Sequence, residues 1–300
     1  MKKLHFLLLI VLGLGITISS CSTDDSNDTI EIIQDEDPLS AIFSLNVSYG
    51  ENPQQVYDIY LPEGRSSEKT KVIILVHGGG WTEGDKADMN NFVELIQQAL
   101  PNYAIVNINY VLANTSPPFI SAFPNQFLDL GMVIDQIISQ KEDLHILPEF
   151  GLIGTSAGAH ISLMYDYIYD TQDVVKMVCD IVGPTNFTDP HYADNPLFGL
   201  LLDVLVDENA YPLGTNYAEV TSPALNVSSS SSPTILFYGN QDPLVPLSNG
   251  ELLEDNLSIA SIDHSFTVYD GGHGDWDVSS LQDLNIKLTN FIGTYLPIEE

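Results

Sequence analysis

Positive charge is what this 300-residue sequence has least of: nine lysines and arginines stand against 41 aspartates and glutamates, for a formal net charge of −32. Such a balance repels a polyphosphate backbone and excludes nucleic acid as a partner. Arginine is reduced to Arg65 alone. A bidentate guanidinium clamp for a phosphate or carboxylate substrate is therefore out of reach, and small neutral substrates are favoured. Cysteine is nearly absent as well, with only Cys21 and Cys179. No cysteine–histidine metal cluster can be assembled from them, and Cys179, within the apolar run 178–182, reads as a small buried hydrophobe. Long hydrophobic runs are missing everywhere except at the extreme N-terminus, so no other segment is long and apolar enough to span a membrane as a helix.

The exception has the layout of an export signal. Lys2 and Lys3 precede the apolar stretch from Phe6 to Ile18, and the small residues Ser19 and Ser20 precede Cys21. Ile18-Ser19-Ser20-Cys21 resembles a bacterial lipobox, with isoleucine where leucine usually begins the motif. The expectation is a lipoprotein signal peptide over residues 1–20 and acylation of Cys21, with two or more acyl chains making the anchor stable. Residues 21–40 are polar and acidic, ending in Asp35-Glu36-Asp37, and read as a tether rather than a folding unit. An acidic run after a lipidated cysteine resembles the surface-export signal of Bacteroidetes lipoproteins. Display on the outer face of the outer membrane is expected, with a periplasmic anchor as the alternative and the lipid as the only membrane contact.

From residue 41 to 300 the pattern alternates between β-rich runs and helical periodicity. That alternation predicts one α/β domain with a mostly parallel central sheet and helices on both faces. Ala41 to Ser48 and Val56 to Leu61 read as an opening hairpin, and Lys71 to Val76 as a strand buried on both sides. Further strands are expected at Tyr103 to Tyr110, Phe150 to Gly154, Val174 to Val182, Thr234 to Tyr238 and His264 to Tyr269. Helices are expected at Met89 to Leu100, Phe127 to Ile138, Ala157 to Tyr169 and Leu281 to Tyr295. Residues 183–232 break the rhythm with several prolines and the run Ser228 to Ser232. They read as a cap or pocket-shaping excursion above the sheet.

The chemistry sits where predicted strands end. Gly154-Thr155-Ser156-Ala157-Gly158 is G-x-S-x-G between an apolar strand and a helix, the context in which that pattern presents a serine on a sharp turn. Serine is a weak nucleophile and needs a base steadied by a carboxylate, in the chain order serine, acid, histidine. Of the seven histidines, His273 lies in the loop Gly271-Gly272-His273-Gly274 after the last strand and is the expected base. His160, one turn into the nucleophile helix, reads as a packing or capping residue, and His191 and His264 as structural. Asp242, after the penultimate strand, is the expected acid; Asp263, Asp270, Asp275 and Asp277 compete by proximity to His273 only. His77-Gly78-Gly79-Gly80-Trp81 follows an earlier strand and offers backbone N–H groups to a developing oxyanion: Gly79 and Gly80, with Gly78 as a further candidate, joined by Ala157.

Taken in order, HGGGW, GTSAG, GNQDPLVP and GGHG resemble the esterases and lipases related to hormone-sensitive lipase and the BD-FAE-type carboxylesterases. YDIYLP at 57–62, GDK at 84–86 and VNINY at 106–110 extend the resemblance to roughly residues 45–297. One departure is Val111, where those proteins usually carry arginine, which puts a structural ion pair in doubt. The resemblance implies the α/β-hydrolase fold and hydrolysis of carboxylic esters through an acyl-serine intermediate, without metal or cofactor. With surface display, acetyl or feruloyl esters of polysaccharides become attractive substrates. A peptidase of the same fold and a non-catalytic surface binding module are the rival readings.

Overall fold

The computed structural model describes residues 38–299, so the expected signal peptide, Cys21 and most of the tether lie outside the described residues. Eight strands form one sheet: β1 (Ile42–Ser48), β2 (Val56–Leu61), β3 (Val72–Val76), β4 (Ala104–Ile108), β5 (Phe150–Thr155), β6 (Val175–Ile181), β7 (Thr234–Gly239) and β8 (His264–Tyr269). Their order across the sheet is β1-β2-β4-β3-β5-β6-β7-β8. β2 runs antiparallel to both its neighbours, and every other pairing is parallel. This order, with helices on both faces, is the α/β-hydrolase fold.

The composition of the central strands explains their place. β3 reads Val-Ile-Ile-Leu-Val and is buried at every position. Because side chains alternate across a sheet, Ile74 and Val76 join Phe127, Ile134 and Ile161 in the core on one face. Ile73 and Leu75 join Val93, Ile96, Leu288 and Ile292 on the other. Each such side chain contributes about 1.5–3 kcal/mol by leaving water. The helices Asn125–Ser139 and Ala157–Met164 thus cover one face, and Asn90–Ala99 and Val278–Tyr295 the other.

Two elements depart from expectation. The helix after Ser156 is α-helical only to Met164 and continues over Tyr165–Tyr169 as a π-helical turn. The wider turn places Tyr165 and Tyr167 in the core and turns Asp166 toward Ser232, which donates to it from backbone N at 2.9 Å and Oγ at 2.7 Å. The helix Ser248–Ala260 between β7 and β8 has no counterpart in the sequence reading. Its composition hides it, with asparagine, serine and glycine throughout and no side-chain cap, yet parallel strands require a crossover of this kind. Asn249 at its start reaches back to the excursion, accepting from Thr185 N at 2.9 Å and Asn186 N at 2.8 Å. The excursion itself is organised around the helices Pro190–Ala193, Pro196–Leu205 and Tyr217–Val220.

Arg65 is buried and spent on architecture. It donates to the carbonyls of Leu144, Ser40 and Pro62, while Leu39 O accepts from Gly64 N. Leu39 and Ser40, read as the end of the tether, are therefore held against the domain. Val111 lies beside a buried carboxylate: its backbone N–H donates to Asp129 Oδ2 at 2.8 Å while Gln55 Nε2 donates to Oδ1 at 2.7 Å. No cation pairs with Asp129 among the described residues, and burial raises its carboxyl above the usual range despite both hydrogen bonds.

Burial likewise pushes Asp166 from 3.8 up to about 7. An acid whose folded pKa is raised contributes stability that is complete below its unfolded value and lost as pH climbs through its folded one. The stability lost by wild type between pH 4 and pH 7 at this site should be spared in Asp166→Asn, whose amide can still meet both Ser232 groups. Thermal melts should show the variant gaining on wild type across that window; a difference in Tm that is flat with pH would refute the assignment.

Candidate active site

Ser156 sits on a turn that the backbone does not adopt freely. Its φ is +51° and ψ is −119°, a strained region for a residue with a Cβ. Its N–H is held by the carbonyl of Ile181 at 2.8 Å. The flanking glycines are required by contact: a Cβ on Gly158 would stand 2.1 Å from Val76 O and 2.4 Å from His77 O, and one on Gly154 2.4 Å from Ala159 N. Glycine at both positions lets the helix start directly over the ends of β3 and β5.

The structure brings Ser156, His273 and Asp242 together. His273 Nε2 lies 2.9 Å from Ser156 Oγ, and Nδ1 lies 2.6 Å from Asp242 Oδ2. An ionised carboxylate can only accept, so Nδ1 carries the proton and Nε2 accepts from the serine hydroxyl. Burial opposes ionisation of Asp242. The hydrogen bond from His273 and those from Val245 N at 3.0 Å and Leu244 N at 2.8 Å outweigh it, and hold the carboxyl below its ordinary value. The rival aspartates are engaged elsewhere. Asp270 accepts from Gln241 Nε2, Asp275 from Gly272 N, and Asp277 caps the last helix through Ser280 N. Asp263 immediately precedes β8 and so lies at the strand end opposite His273, its backbone carbonyl accepting from Thr234 N.

The HGGGW loop is fixed from behind. Tyr110 stacks on the His77 ring at 4.3 Å and donates to His77 O at 2.9 Å. Gly79 has φ +112°, and its carbonyl accepts from Thr82 and Glu83 as the chain turns. Among the described residues no acceptor is hydrogen-bonded to the backbone N–H of Gly79, Gly80 or Ala157. Gly80 and Ala157 line a cleft with Ser156, and a Cβ added at Gly78 would stand 3.0 Å from Thr155 O and 3.2 Å from Ser156 Cβ.

His160 proves to be a link between elements. Trp81 Nε1 can only donate, so His160 Nδ1 accepts from it at 3.2 Å, and Nε2–H donates to Thr221 O at 2.8 Å. Burial drives its pKa to about 4, in keeping with this neutral tautomer. The expected packing role thus becomes a bridge from the glycine loop through the nucleophile helix to the excursion.

Two clefts meet at Ser156 and His273. One, of about 530 Å³, is walled by Phe92, Ile181, Val182, Trp276, Leu281 and Leu284. The other, of about 330 Å³, is walled by Trp81, His191, Tyr192, Phe198 and Leu244. In the smaller cleft Tyr192, Phe198 and His191 come from residues 183–232, the segment expected to shape a pocket, whereas the walls of the larger cleft have no counterpart in the sequence reading. A depression of about 480 Å³ near Tyr103 and Pro297 lies at the opposite ends of the strands and carries none of these groups.

A family model described as BD-FAE matches residues 57–257. The chain belongs to the BD-FAE family. Esterase LipC of Mycobacterium tuberculosis is 22% identical over 227 residues, 72% of this chain and 55% of that protein. The chain spans about half the length of the curated relatives it matches. Among solved structures, a truncated carbohydrate esterase from gut microbiota superposes with a TM-score of 0.67 at 21% identity, covering 85% of this chain and 98% of that one. An acetyl ester-xyloside bifunctional hydrolase from Caldicellulosiruptor lactoaceticus gives 0.65 at 19%, covering 87% and 98%.

The glycine contacts set a paired expectation within this BD-FAE chain. Gly158→Ala should lose roughly 3 kcal/mol, the upper end for forced overpacking. Gly199→Ala, in a helix where an added Cβ meets nothing within 4 Å, should gain up to about 1 kcal/mol. Urea unfolding of the two variants measures both signs, and equal effects would show that crowding at Gly158 is not the constraint.

Proposed function

We propose that this BD-FAE protein is a serine hydrolase of carboxylic esters that works through an acyl-enzyme. The observation that carries the reading is the unbroken Asp242–His273–Ser156 hydrogen-bond chain beside amides that have no partner of their own. His273 Nε2 takes the hydroxyl proton as Ser156 Oγ attacks the ester carbonyl carbon. Asp242 holds the imidazolium that forms, in the orientation its own bonds to Leu244 and Val245 fix. The carbonyl oxygen, now negative, is received by the N–H groups of Gly79, Gly80 and Ala157, each such donor being worth about 10²–10³ in rate. His273 passes its proton to the departing alcohol oxygen. Water, deprotonated by the same nitrogen, then releases the acid.

Acylated glycans, carrying acetyl or feruloyl groups, are the substrate class we favour. Support comes from the two solved relatives named for carbohydrate and acetyl-ester hydrolysis and from a site without a charged clamp. A fluorophosphonate probe should label Ser156, and Ser156→Ala should lower kcat on p-nitrophenyl acetate by about 10⁴-fold or more. Hydrolysis of acetylated xylan and methyl ferulate by wild type tests the glycan assignment, and cleavage of aminoacyl amides in place of all three esters would favour the peptidase. We further infer from the leader sequence that Cys21 is acylated and displays the enzyme at the cell surface. Cells fed radiolabelled palmitate should label the wild-type protein and not Cys21→Ser; equal labelling would discard the anchor.

A further inference from the structure

The catalytic chain leaves one buried carboxylate unused. Asp180, at the end of β6, is fully enclosed, and its Oδ1 accepts from Gly183 N at 2.8 Å. Tyr238 Oη lies 2.6 Å from Asp180 Oδ2 and also 2.6 Å from Gly183 O. One hydroxyl proton cannot fill two contacts that short. A carbonyl oxygen carries no proton, so the second must come from the carboxyl.

The segment held in this way matters to the site. Ile181 O anchors the N–H of Ser156, and Ile181 and Val182 wall the larger cleft while Pro184 walls the smaller. Val182 is β-branched and has φ +51°, a conformation that persists only where its surroundings impose it. Its N–H is bound by Phe237 O at 2.9 Å, and both polar groups of the next residue, Gly183, are gripped by Asp180 and Tyr238.

We propose that Asp180 is a positioning residue that works in its neutral form: its Oδ2–H donates to Tyr238 Oη, whose own proton goes to Gly183 O, and this clamp holds the strained wall that anchors Ser156. The titratable groups around it are Tyr238 from β7, Tyr167 from the π-helical turn, Cys179 beside it and Tyr192 near Tyr238. All four are pushed up by burial and stay uncharged. No cation pairs with Asp180 among the described residues. Burial raises its pKa to about 7, in the sense the proton count requires.

The functional half rests on the esterase reading, whereas the protonation half does not. Infrared spectra of wild type minus Asp180→Asn at pH 5.5 should contain the carbonyl stretch of a protonated carboxyl, fading as the pH is raised through 7. Its absence at pH 5.5 would overturn the proposal even if no ester is ever hydrolysed. For the functional half, the rate of fluorophosphonate labelling of Ser156 is compared in folded variants. Asp180→Asn, which can donate to Tyr238 as the neutral acid does, should label within about twofold of wild type. Tyr238→Phe and Asp180→Ala should fall about tenfold or more, and Tyr238→Phe alone suffices if the alanine variant does not fold. Labelling of Tyr238→Phe at the wild-type rate, or a loss in Asp180→Asn as deep as in Asp180→Ala, would refute the clamp. Failure of wild type itself to label would instead refute the esterase reading.

Discussion

The carbonyls of Val76 and His77 press against the Cα of Gly158, at distances that would leave no room for a Cβ. That contact ties the end of β3 to the first turn of the helix behind Ser156. Because β3 and β5 are neighbours in register, with Val76 opposite Gly154, the loop leaving β3 and the turn leaving β5 emerge side by side. The glycine loop therefore reaches the serine from an adjacent strand, while His273 and Asp242 arrive from strands on the far side of β6. A larger residue at 158 would lift the helix and separate the serine and the adjoining Ala157 amide from the amides of Gly79 and Gly80. The strained turn at Ser156 is a consequence of the same closeness, since a relaxed backbone would carry the helix away from the sheet.

Legibility followed from where the constraint acts. Glycine pairs, and a histidine or aspartate just past an apolar run, are local signals, so Ser156, His273, Asp242 and the glycine loop could be read from the chain and are brought together in space. The strands could be read for the same reason, since β3 is apolar throughout and β5 is apolar up to Gly154. The walls of the larger cleft could not. Phe92, Trp276 and Leu284 come from elements that are unremarkable in sequence, and they converge only because the two helices bearing Phe92 and Leu284 cover the same face of the sheet. His191 faces the smaller cleft only because of how the excursion folds back. The helix Ser248–Ala260 was hidden by weak propensity, and its formation rests on burial of Leu253 and Leu257 and on the Asn249 contacts.

Scarcity of cations shapes the interior as much as the surface. Among the described residues buried Asp58 has Lys86 as a partner, whereas Asp129, Asp166, Asp180 and Asp242 are met by amides, hydroxyls and an imidazole instead of by lysine or arginine. Desolvation is the largest influence on all four, and only Asp242 ends below its ordinary value. The difference lies in the donors: Asp242 receives two backbone N–H groups and an imidazole that can itself become positive. The one carboxylate that the proposed mechanism needs ionised, beside His273, is thus the one that the fold supplies with enough donors to remain so.

The same economy explains the use made of the excursion. His160 joins Trp81 of the glycine loop to Thr221 of the excursion, and Asn249 joins the excursion to the helix beyond β7. Both side chains are fully buried, so losing either partner would strand a polar group without water to replace it. The smaller cleft is bounded on one side by this excursion and on the other by the loop carrying Asp242, which Tyr192 grips through Leu244 O at 3.1 Å. A change in the length or packing of residues 183–232 would therefore move Trp81, the glycine loop and the Asp242 loop together. The shape of the smaller cleft and the placing of the glycine-loop amides are coupled in this chain because one layer of neutral hydrogen bonds holds both.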